Sequence, residues 1–184
     1  MLHSSDPPSP WDGYRLCLSD VPDCSHLLVI QDDATVARNF APAIEKVAER
    51  FSEHPVVLFL GGFPQAIAVQ QLRACQNGER YMWMPYAPII PLVALLWPVQ
   101  KAADFMDWAD SGVTLLGHPT PRADDGIASQ WRTERKQDIA LTVPSLVQHL
   151  DLVPSVKGGQ PAAWGEDPQR KAAVFAEDAS VYAW

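Results

Sequence analysis

The residues of this chain whose types and spacing could do chemistry are two pairs of adjacent carboxylates and a late histidine. Asp32-Asp33 closely follows the apolar run His26–Ile30, HLLVI. Neighbouring carboxylates repel unless a cation or a hydrogen-bond network offsets them. Hard divalent cations, Mg2+ or Mn2+, are bound through one or two carboxylates together with substrate phosphates. A strand running into Asp-Asp therefore reads as a metal–diphosphate site, although a helix cap or a solvated turn accounts for the same pair without a ligand. The second pair stands in Arg122-Ala123-Asp124-Asp125-Gly126, at an expected loop–helix junction. A carboxylate there could act as general base toward an attacking hydroxyl, or simply complement the helix dipole. His149 closes the stretch VPSLVQH. A neutral imidazole suits Mn2+, whereas a histidine without a role is the default; His26 and His54 take that default, and His118 stands between.

The elements that must position these groups follow from periodicity. HLLVI is short, apolar and β-rich, the pattern of a buried parallel strand. Trp11, Tyr14 and Leu18 share one face of a short helix. An amphipathic helix runs from Asn39 or Phe40 to Glu53, with Phe40, Ile44, Val47, Ala48 and Phe51 inward, Asn39 as cap and His54-Pro55 as stop. Pro55–Leu60 is a second buried strand ending at Gly61-Gly62. A helix over 64–76, an Asn77-Gly78 turn, and strands Arg80–Tyr86 and Ile89–Leu96 come next. A helix over Val99–Ala109 turns Ala102, Ala103, Met106 and Ala109 inward. A loop over 110–123, a helix Asp124–Arg135 and a strand Ile139–Val143 follow. The rest is loop, with a short helix near Gln169–Phe175. Strands alternating with helices give an α/β layer fold, in which ligands sit beyond the carboxyl ends of the strands.

Composition narrows the setting. The 184 residues suffice for one domain with its own core. Apolar residues make up 47% and charged residues 20%, an ordinary globular balance. A net charge of −8 argues against general affinity for nucleic-acid backbones or anionic membranes. Three cysteines without a CxxC pair disfavour a disulfide scaffold and fit a reducing cytoplasm. No signal peptide or membrane span is expected: the most apolar stretch, 87–98, is too short and carries three prolines. Seven tryptophans suit a site that stacks flat ligands. The segment Tyr81-Met82-Trp83-Met84-Pro85-Tyr86 could line such a pocket or serve as core packing.

Taken in order, these motifs resemble the GT-A fold glycosyltransferases, particularly family 25-like enzymes and small bacterial or phage relatives. HLLVIQDDA is similar to their strand and acidic motif, and TVPSLVQH to the stretch that ends their catalytic domain. The resemblance spans about Trp11 to Gly159. It implies a mixed, mostly parallel sheet flanked by helices, with residues 1–10 as a disordered lead, 11–160 as catalytic core and 161–184 as an extension packing on it. It implies Mn2+ or Mg2+ held by Asp33, with Asp32 and His149, and a nucleotide-sugar donor met by Gln31, Asp32, Arg122 and Lys157. It implies Asp124 or Asp125 as the acid that contacts or deprotonates a hydroxyl acceptor. Such enzymes begin with a strand–helix–strand unit for the nucleoside, and only about 25 residues precede HLLVI here. An N-terminally short core, a non-catalytic remnant acting as a binding module, or a homo-oligomer that completes the site are the expectations that follow.

Overall fold

The computed structural model describes residues 10–19, 21, 23–61, 65–85, 88–89, 92–111, 124–150 and 171–182. In chain order these form α1 (Pro10–Ser19), β1 (His26–Ile30), β2 (Ala34–Val36), α2 (Phe40–Arg50), β3 (Val56–Val57), α3 (Gln65–Gln76), β4 (Tyr81–Trp83), β5 (Ala94–Pro98), α4 (Val99–Asp110), α5 (Asp124–Arg135), β6 (Ala140–Thr142) and β7 (Val147–His149), with a closing 3-10 turn (Ala179–Tyr182). Side chains alternate across a strand, and the two apolar clusters divide accordingly. Val57, Leu95, Trp97 and Leu141 face α1, α3, α4 and α5. Val56, Ala94, Leu96 and Ala140 face α2 and the C-terminal segment. The chain is thus an α/β protein with helices on both faces of a mixed sheet.

The sheet has the order β1-β5-β3-β6-β4. The expectation of a mostly parallel sheet is corrected: β1–β5, β3–β5 and β4–β6 pair antiparallel, and only β3–β6 is parallel. β1 is accordingly an edge strand rather than a strand buried between parallel neighbours, and Val29 is its one fully buried residue. The reason lies in β5. The run before it delivers the chain back along β1, with Ile30 opposite Ala94 and His26 opposite Pro98.

Other boundaries move for local reasons. In α4, Ala102, Phe105 and Trp108 face inward while Ala103 is exposed, because the large rings claim the core side. Phe105 stacks on Trp97 at 5.0 Å between centroids and meets Trp131 at 5.5 Å. Three of the described tryptophans, Trp97, Trp108 and Trp131, are therefore core residues, not ligand platforms. Asn39 precedes α2 in the left-handed region (φ 57°) and makes no side-chain cap bond; its amide donates to Asp178 Oδ1 at 3.0 Å instead. That hydrogen bond, with help from Ser180 and Arg38, lowers the exposed Asp178 carboxyl to about 2.

Residues 171–175 are not the expected helix. Their backbone pairs outward, with Ala173 N–H donating to Leu60 O (2.8 Å) and Ser145 N–H to Val174 O (2.8 Å). These bonds take up groups that a helix would keep for itself. The segment then continues past Ser145 and Arg38 to the Tyr182 hydroxyl, which donates to Pro144 O at 2.8 Å. Among the described residues no helix is long and apolar enough to cross a membrane. Cys17, Cys24 and Cys75 are free thiols.

Candidate functional site

β1, β3 and β6 end on one side of the sheet, since β3 runs parallel to β6 and both β1 and β3 are antiparallel to β5. Gln31, Asp32 and Asp33 leave the sheet on that side. Gln31 is still tied to it, donating its backbone N–H to Val93 O at 2.9 Å. The chain then turns into β2, which the sequence reading missed because three residues carry too little periodicity. β2 pairs antiparallel with β7, Ala34 opposite His149 and Val36 opposite Val147. β7 falls in a stretch read as loop, because Pro144 interrupts its pattern.

This two-stranded ribbon brings Asp33 and His149 together. His149 Nε2 stands 3.2 Å from Asp33 Oδ2. Leu150 N–H donates to Asp33 O at 2.7 Å, fixing the backbone across the same junction. The imidazole is buried, whereas the Asp33 side chain is 29% exposed. His149 Nδ1 lies 2.8 Å from Leu150 O. A ring that donates from Nδ1 to that carbonyl presents a lone pair at Nε2 to the carboxylate. Two electron-rich groups at that distance need a proton or a cation between them.

A carboxylate and an imidazole are each donors that a divalent cation takes, and a hydrogen bond within the Asp–His pair accounts for the same approach. Carboxylate oxygen plus imidazole nitrogen suits Mn2+ chemically, and the Leu150 carbonyl supplies the outer contact that fixes the ring. Asp32 is exposed beside Asp33. Among the described residues, no group of three or more His, Cys, Asp or Glu stands together so as to hold a metal ion, and Asp33 with His149 is a pair.

Asp124 opens α5 and is buried. Its Oδ1 accepts the Asp125 N–H at 2.9 Å, and Asp125 Oδ1 accepts the Gly126 N–H at 2.7 Å. Burial first, and then the Asp125 charge, push the Asp124 carboxyl up to about 6. Tyr14 of α1 borders the same carboxyl and accepts the Trp97 Nε1–H at 2.8 Å.

Of the candidate residues, the structure brings Asp33 and His149 into direct contact, while Asp124 stands at the start of α5 with Asp125. Arg122 and Lys157 lie outside the described residues, as does Tyr86. Tyr81 and Trp83 lie on β4, with β5, β3 and β6 between them and β1. Three intervening strands put them roughly 19 Å away across the sheet, so this aromatic segment does not join the acids. Trp83 is 55% exposed and packs edge-on with His54 and Phe51. No protein-family model matches the chain, and no curated protein matches it in sequence.

Proposed function

We propose that this chain is a metal-dependent glycosyltransferase of GT-A type, moving a sugar from a nucleotide-sugar donor to a hydroxyl acceptor. The observation that supports the reading is the 3.2 Å approach of His149 to Asp33, two residues from opposite halves of the chain that the motif pattern had already singled out. Asp33 and His149 would hold Mn2+ or Mg2+, with Asp32 on the exposed turn beside them and the donor's phosphates as further ligands; the ion would supply counter-charge for a departing nucleoside diphosphate. The chain's own groups do the rest. Leu150 O holds the His149 ring in the orientation that leaves Nε2 toward Asp33. Asp124, or Asp125 beside it, takes the proton of the acceptor hydroxyl as its oxygen bonds to the anomeric carbon and the carbon–phosphate-oxygen bond breaks. A carboxyl near 6 is mostly ionised at neutral pH, yet basic enough for that task. Arg122 and Lys157 contribute phosphate contacts in this reading. The three free thiols accord with a cytoplasmic setting.

The test is thermal unfolding with UDP, GDP and CDP compounds, each with and without Mn2+. A ligand at a hundredfold excess over its Kd should raise the Tm by roughly 5–10 °C. Asp33→Ala and His149→Ala should fold and lose the Mn2+-dependent part. The absence of a shift with every pairing would reject the reading. Nucleotide binding without sugar transfer would favour a non-catalytic GT-A module.

A further inference from the structure

The aromatic residues that do not join the acids form a cluster of their own. Tyr81 and Trp83 leave β4 on the same face, and β4 closes the sheet at the edge farthest from β1. The end of α2 packs there. Phe51 meets Tyr81 at 5.2 Å and Trp83 at 5.9 Å between centroids, nearly perpendicular in both cases. His54 meets Trp83 at 5.0 Å and 77°. The Arg50 guanidinium lies 4.0 Å from the centre of the Tyr81 ring. Trp83 is nonetheless 55% exposed, more than any other large hydrophobic among the described residues. We propose that this cluster is a carbohydrate-binding platform: the Trp83 indole stacks against the C–H face of a sugar ring, and Arg50 and His54 meet its hydroxyls.

Size, order and charge select that ligand. A stable protein interface buries about 800 Å2 on each partner, whereas one aromatic side chain supplies roughly 150–250 Å2. The ligand is therefore small. The two perpendicular rings hold the indole before anything binds, so little side-chain freedom is lost on binding. The rim is polar: Arg50 is exposed, and His54 is partly exposed, with its Nδ1 buried and without a hydrogen-bond partner among the described residues. The ligand is also uncharged. The negative pole of the α2 dipole lies at this end, Arg50 is followed by the exposed Glu53, and the chain carries a net charge of −8. A nucleotide phosphate or a single nucleic-acid strand needs a basic groove beside its stacking rings. A sugar ring combines an apolar face with a hydroxyl rim and needs no counter-charge. The platform goes beyond the transferase reading, since it stands roughly 19 Å from the acids across the sheet and uses neither metal nor nucleotide.

The experiment follows the indole N–H signals of the full chain by 15N-resolved NMR, in EDTA. Oligosaccharides of glucose, galactose, mannose and N-acetylglucosamine are added one at a time, each to about 10 mM. The Trp83 signal, assigned by its loss in Trp83→Phe, should shift with at least one of them. Trp83→Ala should weaken binding of that sugar about tenfold or more, read from the backbone amides of β4. Unchanged amide signals elsewhere show that the variant is folded, and the wild-type titration stands without it. A Trp83 signal that none of the sugars moves overturns the proposal. So does a shift produced by uridine monophosphate or a thymidine oligomer and by none of the sugars, which would make the platform a nucleobase site. A shift with protein concentration alone, unaltered by every sugar, would make it an interface between copies and overturns the proposal too. Failure here leaves Mn2+–nucleotide binding untouched, and failure of that binding leaves this titration readable.

Discussion

At the residue scale, Asp124 makes the clearest energetic statement. Its carboxyl is raised from 3.8 to about 6 in the folded protein. The folded state therefore holds a proton that the unfolded chain has released between those values, and stability falls as pH rises through that window. Two pH units correspond to roughly 2–3 kcal/mol, lost once the pH exceeds about 6. Asp124→Asn keeps an oxygen for the Asp125 N–H and removes the charge. It should be more stable than wild type at pH 7 by up to that amount, with a flatter dependence between pH 4 and 6; urea unfolding across that range checks it. A destabilised residue at a proposed reacting position is the usual trade of stability for chemistry. The identity of Asp124 was legible as an acid at a helix start. Its burial was not, because burial depends on elements that arrive from elsewhere in the chain.

At the element scale, strong periodicity reads well and short or non-local pairing does not. α2 presents the expected face, with Phe40, Ile44, Val47, Ala48 and Phe51 all in one cluster. The helix of Trp11, Tyr14 and Leu18 packs as its spacing implied. By contrast, strand direction is not written in an apolar run: HLLVI is compatible with either kind of neighbour, and the return of β5 alongside it made the sheet mostly antiparallel. The β2–β7 ribbon was illegible for the same reason, since only pairing makes strands of two three-residue segments. α4 shows what a missed ring costs the reading. Phe105, fully buried among Trp97, Trp131 and Trp108, outweighs the small residues beside it. Phe105→Ala should lower stability by about 3–5 kcal/mol, measured as a lower urea midpoint with unchanged slope. Trp108→Phe should cost less, about 1 kcal/mol, through its lost hydrogen bond to Glu134.

At the scale of the whole molecule, the C-terminal segment is part of the architecture. Residues 173–179 form backbone bonds with Leu60, Ser145 and Arg38, and the Ala172 N–H donates to Gln148 Oε1 at 2.6 Å, next to His149. The described part of the segment, residues 171–182, is bonded to the end of β3, to the β2–β7 ribbon and to the start of α2. A chain ending at residue 170 should lose about 10 °C or more in Tm and, with the ribbon unsupported, its Mn2+-dependent thermal shift. Circular dichroism melts with and without Mn2+ and nucleotide check both. Tyr182→Phe, which removes one buried donor to Pro144 O, should reproduce a small part of the loss, about 1 kcal/mol.

The bond between Asn39 and Asp178 spans 139 positions of sequence. A contact so distant must wait for a large loop to close, and topologies rich in such contacts reach the native state slowly. Since this segment also braces the strand that carries His149, the ribbon should gain protection from hydrogen exchange only late in refolding, after the α4–α5 pair has already closed around Phe105. The acidic end of the sheet would then be the last region to acquire its shape, and in a refolding time course the capacity to bind should lag behind the appearance of helix.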